Sequence, residues 1–212
     1  MEDRDQAGAR LYSPSAARNQ APIAAVLSDV LAENARVLEI GSGTGEHAVA
    51  ACKARPDIRW QPSDLDEASR VSQAAWASEC PGRIAAPVAI DLTEDGWAEA
   101  FDTVDALVCI NVIHIAPWRA AEGLADGAGR LVTGTGCVVL YGPYQEGRQT
   151  APSNLEFDRN LQARNPSWGV RALSDVVGLF ERAGFALAER RDMPANNLAL
   201  VFRRQETFDA SS

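Results

Sequence analysis

The chain has 212 residues, 46% hydrophobic and 23% charged, with 29 acidic side chains against 20 basic ones and a formal net charge of −9. That length suits one well-buried domain over 1–212 and is short for two, and the composition excludes a disordered chain. Polyanion binding rests on basic side chains displacing counterions, so an acidic chain with no dense Lys/Arg run is expected to bind no nucleic acid. No apolar run approaches the roughly 20 residues that span a bilayer. The start, Met1-Glu2-Asp3-Arg4-Asp5, lacks the basic-then-apolar layout of a signal peptide, so no membrane association and a cytoplasmic location are expected. Cys52, Cys80, Cys109 and Cys137 are scattered and accompanied by two histidines only, which predicts neither a metal site nor a disulfide framework.

In chain order, residues 15–32 carry helical apolar spacing after a Ser-Pro-Ser start, within an N-terminal helical segment 12–33. Arg36–Ile40 is the first expected strand, Glu46–Ala54 a helix, Ile58–Pro62 a second strand and Glu67–Ser78 a helix. Ile84–Ile90 reads as a third strand, Gly96–Phe101 as a short helix and Val104–Ile110 as an uninterrupted apolar strand. Pro117–Ala128 is helical, Leu131–Tyr141 contains a fifth strand, and Ser174–Ala183 is a helix expected to be capped by Ser174 and stopped at Gly184. Phe185–Asp192 and Leu198–Arg203 are two last strands joined by a turn. Strands joined by helices imply an α/β, Rossmann-like architecture: a seven-stranded, mostly parallel sheet with helices on both faces and a C-terminal antiparallel hairpin. Seven strands closed in this way resemble the class I methyltransferase fold. The stretch 142–171, polar and aromatic, reads as a long lid-like insertion at the carboxyl ends of the strands, where open α/β sheets bind ligands.

The most specific motif is Glu39-Ile40-Gly41-Ser42-Gly43-Thr44-Gly45-Glu46-His47, a strand running through a Gly-x-Gly-x-Gly turn into a helix. Gly41, Gly43 and Gly45, with Ser42, allow close approach of a ligand to bare backbone at a helix N-terminus. A dinucleotide fingerprint is spaced Gly-x-Gly-x-x-Gly, so the third glycine comes one residue early here. Glu39 is also a poor neighbour for a diphosphate. A cofactor with no phosphate and a cationic amino acid tail fits better, and S-adenosyl-L-methionine (SAM) is such a molecule. Asp64, 19 positions beyond Gly45 at the end of the second strand, is placed to accept hydrogen bonds from ribose hydroxyls, with Leu65 beside it. Asp91 and Leu92, at the end of the third strand, are expected at the adenine; the alternative for Asp91 is a cap for the turn at Thr93.

Methyl transfer is an in-line displacement in which alignment supplies much of the rate and a base adds to it. His114, just past the fourth strand, is the candidate general base. Asn111 is a candidate for the cofactor's amino acid end or for orienting the acceptor, and Tyr144 completes the catalytic set. Arg18 and Asn19 are expected near the cofactor carboxylate. Tyr12, Tyr141, Tyr144, Asn154, Arg164 and Trp168 are candidates for the acceptor pocket, where Arg164 or Arg171 fixes an anionic small molecule. The expected partner is a small-molecule substrate, methylated on oxygen or nitrogen, and the expected state is a monomer or homodimer. The alternative is a catalytically silent SAM-binding protein, acting as a sensor or partner subunit.

Several blocks resemble one family. They are Tyr12-Ser13-Pro14-Ser15-Ala16-Ala17-Arg18-Asn19, Trp60-Gln61-Pro62-Ser63-Asp64, and the run Cys109 to Trp118 (Cys-Ile-Asn-Val-Ile-His-Ile-Ala-Pro-Trp). Tyr141-Gly142-Pro143-Tyr144, Ser153-Asn154, Phe157-Asp158, Arg164-Asn165-Pro166 and Met193-Pro194-Ala195-Asn196-Asn197-Leu198 continue the pattern. Together they resemble the methyltransferase-like family formerly called domain of unknown function 938, the methyltransferase-like protein 26 group. The resemblance runs from about Tyr12 to Arg203 and implies a class I fold and binding of SAM, with S-adenosyl-L-homocysteine (SAH) as product. The block after Trp168 reads Gly-Val-Arg-Ala where relatives often have Gly-Ile-Arg-Asp, so Ala172 replaces an acidic residue.

Overall fold

The computed structural model describes residues 4–205, so the ends of the expected 1–212 domain lie outside the described residues. Strands β3 (Arg36–Ile40), β5 (Val104–Ile110) and the second half of β6 (Val132–Pro143) are covered on both faces, which is why they read as continuous apolar runs and not as alternation. With β4 (Arg59–Pro62), β7 (Phe185–Met193) and β8 (Asn197–Arg204) they form a six-stranded sheet in the order β4-β3-β5-β6-β8-β7. β4, β3, β5 and β6 are parallel, and β8 and β7 close the sheet as an antiparallel hairpin.

One face of the sheet is covered by α1 (Pro14–Val30), α2 (Glu46–Ala54) and α3 (Glu67–Ala77), the first two packing Ile23, Leu27, Val49 and Cys52 onto Val37, Val108 and Val139. The other face carries α4 (Trp118–Leu131) and α6 (Leu173–Arg182), with Leu124, Ala128, Val176 and Phe180 on Leu38, Leu107, Val138 and Leu200. Local chemistry starts the helices where it was expected to. Ser13 Oγ accepts from Ala16 N at 3.2 Å to cap α1, and Asp66 accepts from Ser69 N at 2.8 Å to cap α3.

The structure departs from the expected elements in four places. The expected strand Ile84–Ile90 is not a strand: it touches β4 only through bridges at Trp60–Ile84 and Ser63–Val88, so the sheet has six strands and not seven. Pro87 has no N–H to give, and the carbonyl of Ala86 is taken by Gln61 Nε2 at 2.8 Å, which breaks the ladder between the bridges. A two-stranded hairpin, β1 (Asp5–Ala7) and β2 (Arg10–Tyr12), precedes α1. The lid-like stretch is not structureless, since α5 (Pro152–Arg164) fills much of it. Ser174 does not cap α6: the helix starts at Leu173, its N-cap is Ala172, and no side chain makes the capping bond. Among the described residues no helix is long and apolar enough to cross a membrane.

Candidate functional site

The glycine turn between β3 and α2 is held from below by a hydrogen-bonded frame. Ser42 N donates to Ser63 O at 2.7 Å, Ser63 Oγ to Glu39 O at 2.7 Å, and Gln73 Nε2 to Gly43 O at 3.0 Å. Gly41 and Gly43 have φ of +65° and +56°, a left-handed backbone that side chains resist. At Gly41 a Cβ would also stand 2.4 Å from Val112 Cγ2, so this glycine admits the loop after β5. At Gly43 a Cβ would meet only Arg4 Nη2, at 3.7 Å. The turn therefore presents its middle glycine to open space, bordered by a cation.

Asp64 lies directly at that turn. Its carboxylate accepts from Gly43 N at 2.9 Å and from Asp66 N at 3.0 Å, and burial holds its pKa above the usual carboxylate value. Leu65 beside it is 63% exposed, an apolar side chain turned outward at the rim. Glu39 is buried beneath the turn. One carboxylate oxygen accepts from Trp60 Nε1 at 3.0 Å and the other has no partner, and burial pushes its pKa up to about 7. Asp91 is used as a cap, accepting from Thr93 N at 2.8 Å and Thr93 Oγ1 at 2.7 Å. Leu92 is buried in the core, packed towards α4.

A second polar group gathers at the carboxyl ends of β5 and β6. Asn111 takes φ +62° and donates its N–H to Tyr141 O at 2.7 Å, which turns the chain into the short 3-10 helix Val112–His114. His114 is fully buried. Its Nδ1 accepts from the backbone N–H of Arg171 at 3.3 Å, its ring meets Tyr144 edge-on at 5.1 Å, and its Nε2 has no partner. A Cβ on Gly142 would stand 2.5 Å from that Nε2 and 3.1 Å from Asn111 Oδ1, so both atoms border the same glycine. Burial and the Arg171 charge lower the His114 pKa to about 3. The Tyr144 hydroxyl is likewise buried without a partner, and burial raises its pKa.

The remaining candidates divide. Tyr141 packs on the opposite face of the sheet from Tyr144, which follows directly after β6. Asn154 is structural, donating to Tyr144 O at 3.2 Å and Asn196 O at 3.0 Å, which fastens α5 to the end of β6 and the β7–β8 turn. Arg164 is exposed and lies over the Trp168 ring at 5.3 Å. Arg171 is not free for a ligand, because its guanidinium donates to the carbonyls of Ile113, Ala116 and Ser167. Tyr12 packs edge-on against Trp76 at 5.2 Å, beside α3 and away from the β5–β6 group. Arg18 is exposed on α1 and Asn19 half-buried.

Sequence reasoning missed two residues. Arg4 bonds Ser69 Oγ at 3.0 Å and reaches the glycine turn from the hairpin. Glu46 accepts from Ser13 N at 2.9 Å and Thr44 Oγ1 at 2.8 Å, pinning the start of α1 to the turn. The Ser13–Glu46 bond joins residues 33 positions apart, which no local pattern announces. Two clefts open elsewhere and do not involve the glycine turn. One, of about 420 Å³, lies at the amino ends of β3 and β4, and one, of about 660 Å³, lies between Gln145 and α6.

Comparison with known proteins gives a consistent picture. A family described as "Protein of unknown function (DUF938)" matches residues 10–204. Among solved structures, an O-methyltransferase family protein from Burkholderia thailandensis superposes with a TM-score of 0.76 at 18% identity, over 90% of this chain and 57% of that one. The mitomycin 7-O-methyltransferase MmcR gives 0.76 at 17%, over 91% and 55%. CalO1, a methyltransferase in calicheamicin biosynthesis solved with SAH bound, gives 0.72 at 18%, over 90% and 54%. The chain thus has the Rossmann-like methyltransferase fold and spans little more than half the length of these neighbours.

Proposed function

The chain belongs to the DUF938 family, and we propose that it is a SAM-dependent methyltransferase acting on the oxygen or nitrogen of a small molecule, within the methyltransferase-like protein 26 group. The observation that carries this reading is the open middle of the glycine turn with Asp64 bonded to it at 2.9 Å and Leu65 exposed beside it. That cradle fits a nucleoside: a carboxylate for ribose hydroxyls, an apolar side chain for a purine face, and no cluster of basic groups for a phosphate. Arg4 borders the same cradle from the hairpin. SAM bound there supplies an activated methyl group. Asn111, Gly41 and Val112 mark where the cofactor's far end and the acceptor would meet, between β3 and β5. Neighbours of the same fold that carry methyltransferase names, one of them with SAH bound, support the reading.

The expectation that His114 serves as general base does not suit its surroundings. A base needs a lone pair that reaches the acceptor, and this ring is fully buried, with the Arg171 N–H against Nδ1 and Gly142 against Nε2. The same burial favours the second reading, a SAM-binding protein without turnover. A metabolite panel assayed for SAH release separates the two: release above background with at least one small-molecule acceptor establishes the enzyme, and background release throughout, with SAM bound, establishes the silent binder.

A further inference from the structure

The amino end of the sheet carries a cleft of about 420 Å³ that takes no part in the cofactor cradle. β3 and β4 pair in parallel, with Arg36 opposite Arg59, Val37 opposite Trp60 and Leu38 opposite Gln61. Alternation sorts these side chains between the two faces. Val37 and Trp60 enter the core beneath α1 and α2, whereas Leu38 belongs to the core on the α4–α6 face. Arg36 and Arg59 therefore stand side by side on that second face, where both are exposed and line the cleft. Like charges on directly opposed residues of neighbouring strands cost stability unless a counter-charge lies beside them. Part of that counter-charge is present: Asp105 accepts from Arg36 N at 2.8 Å and lies 3.5 Å from Arg36 Nε. Arg59 has neither an ion pair nor a hydrogen bond among the described residues. Arg83 also borders the cleft, with its guanidinium donating to the Cys52 carbonyl. The one carboxylate in the lining is Asp102, exposed and bonded to none of the three arginines. On a chain of net charge −9, three cations around one cleft reverse the local sign. The lining between the charges is apolar, since Phe101, Val104 and Ile84 are each only partly buried there. Gln61 adds no free donor, because its Nε2 is engaged by the Pro62 and Ala86 carbonyls.

From this arrangement we infer that the cleft is a second ligand site, built for a small aromatic carboxylate or sulfonate. The Arg59 guanidinium, with Arg36 beside it, takes the anionic group, and Phe101, Val104 and Ile84 take the ring. The two demands select together. Acetate forgoes the apolar contact, and a neutral aromatic leaves the arginine pair uncompensated. The volume of about 420 Å³ falls within the roughly 300–1,000 Å³ of small-molecule sites. The cleft is also remote from the proposed methyl transfer. Arg36 opens β3 and Gly41 follows its end, so a rise of about 3.3 Å per residue separates the cleft from the glycine turn by roughly 15 Å. No methyl group crosses that distance in one displacement. The site is therefore an accessory one, and it stands whether or not the glycine turn holds SAM.

Amide NMR of the full chain, titrated in turn with 2-naphthoate, 2-naphthylmethanol and acetate, reads which residues respond and at what concentration. Naphthoate is expected to bind saturably and to move the amides of 36–38, 59–61, 82–85 and 101–104. Acetate is expected to move none of them, and the alcohol to bind weaker by about tenfold or more. Arg59→Glu changes an exposed side chain that holds nothing in the fold, so its spectrum away from the cleft is expected to match wild type. Its affinity for naphthoate is expected to fall by about tenfold or more, with part of it restored in Arg59→Lys. Added SAH is expected to leave naphthoate binding unchanged. No saturable response to naphthoate, equal affinities for acid and alcohol, equal affinities of wild type and Arg59→Glu, or competition by SAH overturns the inference. So does movement of the same amides on dilution alone, without a response to naphthoate, which would assign this face to a second copy of the chain.

Discussion

Glu39 and His114 show how burial sets the chemistry of single residues. The folded state holds a proton on Glu39 up to about pH 7, against an ordinary value of 4.5. A raised pKa contributes stability that is full below the ordinary value and is lost as pH rises through the folded one. His114 and His47 act in the opposite sense: burial lowers them to about 3 and about 4, so their neutral forms favour the fold above about 6.5 and that contribution is lost as pH falls towards those values. Between pH 5 and 7 the two effects oppose each other. Glu39→Gln keeps an acceptor for Trp60 and removes the titration. Its unfolding free energy, measured by denaturant, is expected to exceed that of wild type increasingly as pH rises from 5 to 8. Parallel pH profiles for the two proteins would show that Glu39 is ionised in the fold.

At the scale of elements, α6 is the helix whose start is least well made. Ala172 occupies the N-cap with extended backbone (φ −67°, ψ 133°), and an alanine offers no oxygen to the free N–H groups of the first turn. An aspartate here would stand at the N-cap, where a side-chain oxygen can reach those N–H groups. Ala172→Asp is therefore expected to raise stability by about 0.5–2 kcal/mol, seen as a higher denaturation midpoint with an unchanged slope. A variant no more stable than wild type would mean that the cleft beside Ala172 and Gln145 holds the new side chain away from the helix. The hairpin β1–β2 illustrates a different device. Its strands are three residues each and owe their place to α3, through Leu11 N to Ser72 Oγ at 2.8 Å and Trp76 Nε1 to Leu11 O at 3.0 Å. Ser72 Oγ in turn bonds Thr44 O at 2.7 Å, so the hairpin is tied to the glycine turn.

For the molecule as a whole, the parts legible in the sequence are those specified locally. Apolar runs, the glycine turn and the closing hairpin are each written within a dozen residues, and the structure has them at or within a few residues of the expected bounds. Asp64 falls at the glycine turn because pairing of β3 with β4 brings the ends of these two adjacent strands together. What was not legible depends on distant partners. The hairpin has too few residues to show alternation. The seventh strand fails because a side chain of β4 captures its carbonyl next to Pro87. His114 is buried and contacted by a backbone amide 57 residues further on, which no spacing in the Asn111–His114 run announces. Arg164 and Asn154 looked equivalent as polar residues of an insertion, yet α5 turns one to the surface and the other into the fold.

Calorimetric titration of the full chain with SAM and SAH, with Asp64→Ala as the comparison, shows whether the glycine turn and Asp64 hold a nucleoside cofactor. Hydrogen bonds to a charged acceptor are worth roughly 1.5–3 kcal/mol each. Saturable binding of both ligands is therefore expected, weakened by about tenfold to a hundredfold in the variant. Absence of binding by the wild type, or equal affinity in the two proteins, would contradict it.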